Sequence, residues 1–439
     1  MPFQLDPTFA QDPAKHFDTL QIHAGLEPDS TTGAAALPIY ASAAFQFDSA
    51  PDAAAKFALS KPGNVYGRLT NTTTDAVAAR VAAIEGATGA VAVASGHAAE
   101  ILALTNIVGA GDHIVASDSL YGGTWNIFLH TLGDLGVETT FVENNDIDAF
   151  VAATKENTKL WYVETIGNPL VDVADVPAIV EAANSLKEPV PVFVDNTFAT
   201  PYLYRPADDG AAVVIESLTK WIGGHGATLG GAVIDTGKFD WKKTPGKFPT
   251  LTEPDPSYHG LVFADAAPAA PFSTRVLANK LRDFGPTLSP YAAQLIGIGI
   301  ETLSLRAQRH SDNALAVAKY LESHPKVSWV RYSGLESDPS HEVASRILHN
   351  GFGGVVVFGV KGGRDAGLKV VDNVKLFTHL ANVGDAKSLI IHPASTTHSQ
   401  LTPEQLKAAH LTEDLIRLSV GIENVDDIIA DLDQALENA

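Results

Sequence analysis

Apolar residues along the chain fall into short unbroken runs rich in β-branched side chains, separated by stretches where they recur every three or four positions. The runs at 90–94, 113–116, 138–142, 160–163, 190–194 and 211–215 are too short for helices and are closed by polar residues or glycine, so they predict buried strands. Between them, 74–85, 98–108 and 176–185 place alanine, valine, isoleucine and leucine at helical spacing, the first of these ending at Gly86. Strands alternating with helices predict a mostly parallel, helix-flanked sheet. A second set of runs, at 327–332, 354–360, 389–392 and 416–420, is interleaved with helical stretches at 291–324, 366–374 and 426–436 and predicts a smaller α+β unit.

Two regions lack this order. Residues 3–71 are rich in turn formers and read as an arm with one helix near 53–58, lying over a neighbour. Residues 238–290 are rich in Pro, Asp, Lys and aromatics with little period, and read as a long excursion joining two domains, of functional or interfacial character. The expected organisation is an arm at 1–70, a cofactor-binding α/β domain at 71–275 and a C-terminal α+β domain at 276–439.

Composition narrows the class. With 439 residues, 45% hydrophobic and 18% charged, the chain has the make-up of a globular enzyme with a large core. Thirty basic against 51 acidic residues give a formal charge of −21, which argues against nucleic acid or an anionic membrane as partner. The absence of cysteine removes disulfides, thiolate metal sites and cysteine nucleophiles from consideration. Residues 1–15 have neither the basic start nor the apolar centre of a signal peptide, and no apolar run reaches the roughly 18–20 residues of a membrane span. A soluble cytoplasmic protein is expected.

The candidate chemistry gathers where predicted strands end. The run 190–194 leads into Asp195, and 211–215 leads into Ser217-Leu218-Thr219-Lys220 and then Gly223-Gly224-His225-Gly226. Ligands of open α/β sheets sit at the carboxyl ends of strands. An amine beside a buried acid suits pyridoxal phosphate: Lys220 can join the aldehyde, Asp195 can hold the proton on the pyridine nitrogen, and the hydroxyls of Ser217 and Thr219 suit the phosphate. Two ordinary core strands with a solvated lysine and a capping aspartate fit these residues equally well. Ser95-Gly96-His97 joins a predicted strand to a helix whose free N–H groups suit an anion, or is a plain turn. Tyr121 among glycines suits a ring laid on a planar cofactor, or a loop anchor. Tyr66 and Arg68 can reach one phosphate together; a surface arginine beside a half-buried tyrosine is the blander reading. Arg417 lies inside an otherwise apolar run, where burial calls for an anion, either a ligand carboxylate or a structural acid. His392 and His398 lie near hydroxyls without any recognised ligand spacing, so no metal site is expected.

Eight motifs stand in one order: YGR (66–68), SGH (95–97), LYGGT (120–124), ETIGNP (164–169), VDNTF (194–198), SLTKWIGGH (217–225), SLIIHP (388–393) and RLSVGIE (417–423). Together they make the chain, from about residue 19 to 432, resemble the Cys/Met-metabolism pyridoxal-phosphate enzymes, and most of all their O-acetylhomoserine sulfhydrylase branch. That branch is similar in carrying an insert like 238–290, with GKFDW at 237–241 and YHG at 258–260.

The resemblance implies a type I fold of PLP-dependent transferases: a large mostly parallel sheet domain flanked by helices, plus the smaller C-terminal domain. It implies that Lys220 binds pyridoxal 5'-phosphate covalently and later shuttles protons, that Asp195 pairs with the pyridine nitrogen, and that Tyr121 stacks on the ring. Ser95, Gly96, His97, Ser217 and Thr219 would bind the phosphate, with Tyr66 and Arg68 arriving from a neighbouring subunit. Arg417 would bind the substrate carboxylate with help from Asn168 and Ser388. The implied reaction is γ-replacement, in which O-acetyl-L-homoserine and sulfide give L-homocysteine and acetate in methionine biosynthesis, with a thiol as the other possible sulfur partner, on a homotetramer built from dimers with shared sites. Lyase-like chemistry, use of the succinyl ester, and a non-catalytic cofactor-binding protein are the alternatives. His97 departs from the Met or Gln more usual in relatives, and Thr72 replaces a common Pro.

Overall fold

The computed structural model describes residues 15–26, 29, 31–396 and 411–439, so the first 14 residues of the expected arm and His398 lie outside it. Its first sheet has seven strands, β1 (Gly89–Val93), β2 (His113–Ser117), β3 (Glu138–Val142), β4 (Thr158–Glu164), β5 (Val192–Asp195), β6 (Val213–Glu216) and β7 (Gly231–Asp235), in the order β1-β7-β6-β5-β4-β2-β3. The pairs from β6 to β3 are parallel, while β7 runs antiparallel to both β6 and β1. Successive residues of a strand face opposite ways. Trp161, Val163, Val192 and Val194 therefore pack on one side with Val77 and Ile84, and Leu160, Tyr162 and Phe193 on the other with Leu102. Burial on both faces is why these strands read as continuous apolar runs rather than alternating ones.

Helices α1 (Phe17–His23) and α2 (Ala50–Phe57) lie in the N-terminal segment, and α3 (Thr72–Glu85), α4 (Gly96–Ile107) and α5 (Val176–Ser185) flank the sheet. The Asn71 side chain accepts the N–H groups of Thr73 and Thr74 to start α3, and Gly86, at φ 69°, stops it. The arm was expected to hold one helix and has two among the described residues. Helix α1 has only seven residues, too few for a periodic signal. Tertiary contacts hold it: Gln21 donates to Ser304 Oγ (2.9 Å) and accepts the Ser304 N–H (3.0 Å).

The second sheet contains β8 (Val327–Arg331), β9 (Val355–Val360), β10 (Thr378–His379), β11 (Leu389–Ile391) and β12 (Leu415–Ser419), in the order β10-β11-β12-β9-β8. It is antiparallel except for β10–β11. Helix α6 (Pro290–Ile300) packs on α3 beside the first sheet, while α7 (Leu303–Ser323), α8 (Gly363–Asn373) and α9 (Val425–Glu437) pack with the second. The single helical stretch expected at 291–324 is broken between α6 and α7 at Glu301-Thr302. Gly299 lies so close to the turn after Lys220 that a Cβ there would sit 2.2 Å from the Gly223 carbonyl oxygen, and its own carbonyl is taken by Arg306 at 2.6 Å.

The region 238–290 is not the irregular excursion its composition suggests. It holds short helices at Pro249–Thr252 and Phe263–Ala266 and a continuous helical run over 271–284, whose middle, Val276–Leu281, is wound as π-helix. Aromatic packing rather than periodicity holds it, with Trp241 stacked on Phe272 (5.2 Å, 18°) and Phe272 edge-on to Phe193 of the sheet. Arg275 fastens it to the C-terminal end of α4 through the carbonyl (2.7 Å) and side-chain oxygen (2.8 Å) of Asn106. No helix among the described residues is long and apolar enough to cross a membrane.

Candidate active site

The carboxyl ends of β4, β5 and β6 lie side by side, with Glu164 registered against Asp195 and Asp195 against Ile215. Asp195 is half-buried at the end of β5, and its Oδ1 accepts the Thr197 N–H at 2.9 Å. Burial raises its carboxyl above the usual range, opposed by hydrogen bonding to Thr197. Glu164 accepts the Tyr121 N–H (2.6 Å), and burial followed by the Asp195 charge lifts its carboxyl well above the ordinary value. Glu100 of α4 accepts the Tyr162 hydroxyl (3.0 Å), and its carboxyl is pushed up to about 8 by the same two causes.

The turn after β6 carries Lys220. Its amine donates to Oδ1 of Asn382 at 2.5 Å, and the Asn382 amide nitrogen donates in turn to Asp385 (2.8 Å). Burial, then the nearby Arg417 cation, pull the Lys220 amine down to about 8, partly opposed by Asp385. Arg417 is buried in the middle of β12, where its Nη1 donates to the Asn168 side-chain oxygen at 3.0 Å. Burial pulls its guanidinium down to about 10. Among the described residues no carboxylate pairs with Arg417, and no cation pairs with Asp195. Salt bridges elsewhere in the protein show that the chain has acids and bases to spare for such pairing, so these two deficits mark a place for a ligand.

A helix start completes the site. Ser95 Oγ accepts the Ala98 N–H (3.1 Å) to begin α4, and the turn lies against Ser217: a Cβ on Gly96 would sit 2.8 Å from the Ser217 Cβ. His97 and Tyr121 are ring neighbours, 5.5 Å between centroids at 32°. Burial and then the Lys220 charge lower the His97 imidazole. Thus Lys220, Asp195, Tyr121, Ser95, Gly96, His97, Ser217, Asn168 and Arg417, far apart in sequence, are gathered by the fold.

Four other expected residues are placed differently. The Thr219 hydroxyl is turned to the backbone, donating to the Gly230 carbonyl (3.2 Å) and accepting its N–H (3.0 Å). Ser388 is fully buried; its hydroxyl donates to Glu423 (2.9 Å) and accepts the Gly421 N–H (2.9 Å), so it braces the exit of β12 rather than facing a substrate. Tyr66 is exposed, with the Arg68 guanidinium 5.4 Å from its ring, and neither shows a contact with Lys220, Asp195 or the Ser95 turn of the same chain. Of the two histidines weighed as metal ligands, His392 has both ring nitrogens occupied, by Ser395 Oγ and the Glu413 carbonyl, each at 2.8 Å.

Sequence reasoning missed Asn382, Asp385, Glu164 and Glu100. Asn382 and Asp385 stand in an irregular stretch where only the turn at Gly384 (φ 80°) hints at a special backbone. The two glutamates sit at a strand end and on a helix, where carboxylates are ordinarily solvated.

Comparison with known proteins agrees with this geometry. The family model described as Cys/Met metabolism PLP-dependent enzyme matches residues 18–437. The homocysteine synthase of Schizosaccharomyces pombe is 50% identical over 427 residues, covering 97% of this chain and 99% of its own. The O-acetyl-L-homoserine sulfhydrylase of Leptospira meyeri is 48% identical over 431 residues, covering 96% of each. A Campylobacter jejuni protein provisionally named O-acetylhomoserine (thiol)-lyase has a crystal structure that superposes with a TM-score of 0.92 at 40% identity, over 96% of this chain and 100% of that one, and carries N'-pyridoxyl-lysine-5'-monophosphate. A half-buried carboxyl without a cation among the described residues, a depressed amine, and a helix start beside hydroxyls fit the pyridine nitrogen, aldehyde and phosphate of that cofactor. The chain belongs to the Cys/Met-metabolism PLP-dependent enzymes.

Proposed function

We propose that this enzyme catalyses γ-replacement on a small amino acid, converting O-acetyl-L-homoserine and sulfide to L-homocysteine and acetate. The observation that carries the reading is the pairing of a depressed, tethered Lys220 amine with a buried Arg417 that has no carboxylate partner among the described residues. The names of relatives near half identity choose the substrate within the family. When bound, pyridoxal phosphate acts as an electron sink that stabilises negative charge on the substrate's carbon skeleton. Lys220 binds the aldehyde, and once released its neutral amine moves protons at Cα and Cβ. Asp195 holds the proton on the pyridine nitrogen, and the Tyr121 ring covers the cofactor plane. Ser95, Gly96 and His97 at the start of α4, with Ser217, hold the phosphate. Arg417 and Asn168 hold the substrate carboxylate, the guanidinium fork setting its orientation. Acetate then leaves from Cγ and sulfide takes its place, so the bond count at that carbon is unchanged.

We further assign Tyr66 and Arg68 to the phosphate of a second copy, because their own chain keeps them from its site. Tyr291, Leu295 and Ile298 on α6, with Leu305 of α7, form an exposed apolar face suited to such a copy. The working form is then a homo-oligomer, a tetramer built from two dimers with shared sites, acting in the cytoplasm. The domain division at 275 is moved past Phe284, since 271–284 is one helical run packed on the first sheet.

The test is product analysis with O-acetyl- and O-succinyl-homoserine, each offered with sulfide and with cysteine. Homocysteine from the acetyl ester and sulfide is the expected main product. Cystathionine, or α-ketobutyrate without sulfide, as the faster product overturns the assignment.

A further inference from the structure

Helix α7 supplies none of the side chains assigned to cofactor or substrate, yet three of its residues bond to the backbone of both segments that build the site. Arg306, His310 and Asn313 stand at i, i+4 and i+7, so they share one face of the helix, and all three are buried. At one end, Arg306 donates to the carbonyls of Trp221 (2.6 Å) and Ile222 (3.2 Å), the two residues that follow Lys220, and to Gly299 (2.6 Å). A Cβ on Gly224 would lie 1.9 Å from the Arg306 Nη1, so the glycines after the lysine make room for this guanidinium. Burial alone pulls Arg306 down to about 10, with no acid opposing it. A buried cation spent on three carbonyls is an expensive way to fill space, and it invites a reason.

At the other end the helix grips the exit of β12, just past Arg417. His310 Nδ1 lies 2.6 Å from the Val420 carbonyl oxygen, which makes Nδ1 the protonated nitrogen. Asn313 donates to the carbonyls of Gly421 and Glu423, each at 2.9 Å. The His310 ring also meets Trp221 edge-on, 6.4 Å between centroids at 80°. Backbone bonds link the same two segments: the Gly224 N–H donates to the Lys220 carbonyl (2.7 Å), the Ala386 N–H to Gly224 (3.0 Å) and the Ile422 N–H to Ala386 (2.9 Å).

We propose that α7 is a positioning strap whose Arg306–His310–Asn313 face sets the separation between the Lys220 amine and the Arg417 guanidinium. The strap rests on the reading that these two groups handle cofactor and substrate carboxylate. Its physical basis is stiffness: seven residues of helix rise about 10 Å with little give, so turns bonded to both ends move together. Amine and guanidinium must keep register because they act on adjacent atoms of one amino acid, and small displacements of positioned groups carry large rate penalties.

Three variants of the holoenzyme test this, Arg306→Gln, Arg306→Lys and Asn313→Ala. Arg306→Gln is expected to lower kcat on the order of tenfold and to shift the pH midpoint of the bound cofactor's visible absorption, which reports on Lys220. Asn313→Ala is expected to raise KM for the amino acid on the order of tenfold and leave that midpoint in place. Arg306→Lys should recover part of the kcat loss. Amide hydrogen exchange gives a readout free of turnover: Asn313→Ala should speed exchange at 218–224, and Arg306→Gln at 417–423, with β2 as the unaffected control. Exchange confined to the mutated end, or kinetics and midpoint within twofold of wild type while melting temperature falls, reduces α7 to packing and overturns the strap. Should Arg306→Gln fail to fold, Arg306→Lys and Asn313→Ala decide by the same criteria. A Lys220→Ala protein with the wild-type cofactor spectrum would instead overturn the reading of the site, leaving the exchange result to judge the strap.

Discussion

The Lys220 amine meets the side-chain oxygen of Asn382, 162 residues further along the chain, in the loop between β10 and β11 of the second sheet. Asp385 takes the Asn382 amide nitrogen, and this turns the oxygen toward the lysine. The contact joins the two sheets at the reacting amine.

That relationship makes cofactor capture depend on pH. With the amine at about 8, its neutral form grows as pH rises through that value, and only the neutral form attacks the aldehyde. Recapture of pyridoxal phosphate by apoprotein, followed by absorbance, should accelerate with pH and level off above about 8. Asn382→Asp places a carboxylate beside the amine, favours its charged form and should move the rise to higher pH. A capture rate flat between about pH 6.5 and 9.5 would remove Lys220 as the titrating nucleophile.

Arg417→Lys keeps the charge and loses the fork. It should still bind the cofactor, while kcat/KM falls roughly tenfold to a hundredfold, the equivalent of about 1.5–3 kcal/mol for a charged hydrogen bond. Both homoserine esters should suffer alike, since both carry the α-carboxylate. An acetyl-to-succinyl ratio that changes much more than the common loss would show Arg417 reading the acyl end.

Shared sites predict complementation. Arg68→Ala and Lys220→Ala proteins should each be inactive, and their mixture after subunit exchange should regain activity, because one site of a hybrid dimer keeps both residues. Hybrids confirmed by mass spectrometry that stay inactive would return Tyr66 and Arg68 to their own chain.

A buried pair of carboxyls, Glu85 and Glu216, lies beneath the Lys220 turn, where Asn196 donates to Glu85 at 3.2 Å. Burial raises both above the usual range, followed for Glu216 by the charge of Glu85, so the pair holds a proton that an unfolded chain gives up. The folded state binds more protons here, and stability should fall as pH rises from the ordinary carboxylate range through about 7. Glu85→Gln removes one acid at nearly constant shape and should flatten that fall in melting temperature. A variant whose melting temperature tracks the wild type across this range would show the pair to be ionised in the fold.

Glycine and the β-branched runs make the first sheet legible in the sequence, because strands buried on both faces must be apolar throughout. β7 escaped that reading: it begins on a glycine, and its antiparallel place between β1 and β6 is a matter of pairing with strands far away in sequence. The insert escaped for a related reason, since its helices are held by Trp241, Phe248 and Phe272 against α4 and the sheet rather than by a repeating apolar face.

At the site, the sequence by itself offered the residue types that the proposed chemistry demands. Lys220, Asp195 and Arg417 are an amine, an acid and a guanidinium at or within apolar strands, where each is too costly to be idle. What surrounds them was decided only in three dimensions. Asn382, Asp385 and the Arg306 face act through bonds to groups scores of residues away, and a side-chain amide or a helix arginine carries no local pattern that announces such a partner. Ser388 shows the same limit in reverse: its motif pointed to substrate, and the tertiary fold gave its one hydroxyl to Glu423 and Gly421, because a buried donor must be satisfied by whatever the packing brings within reach.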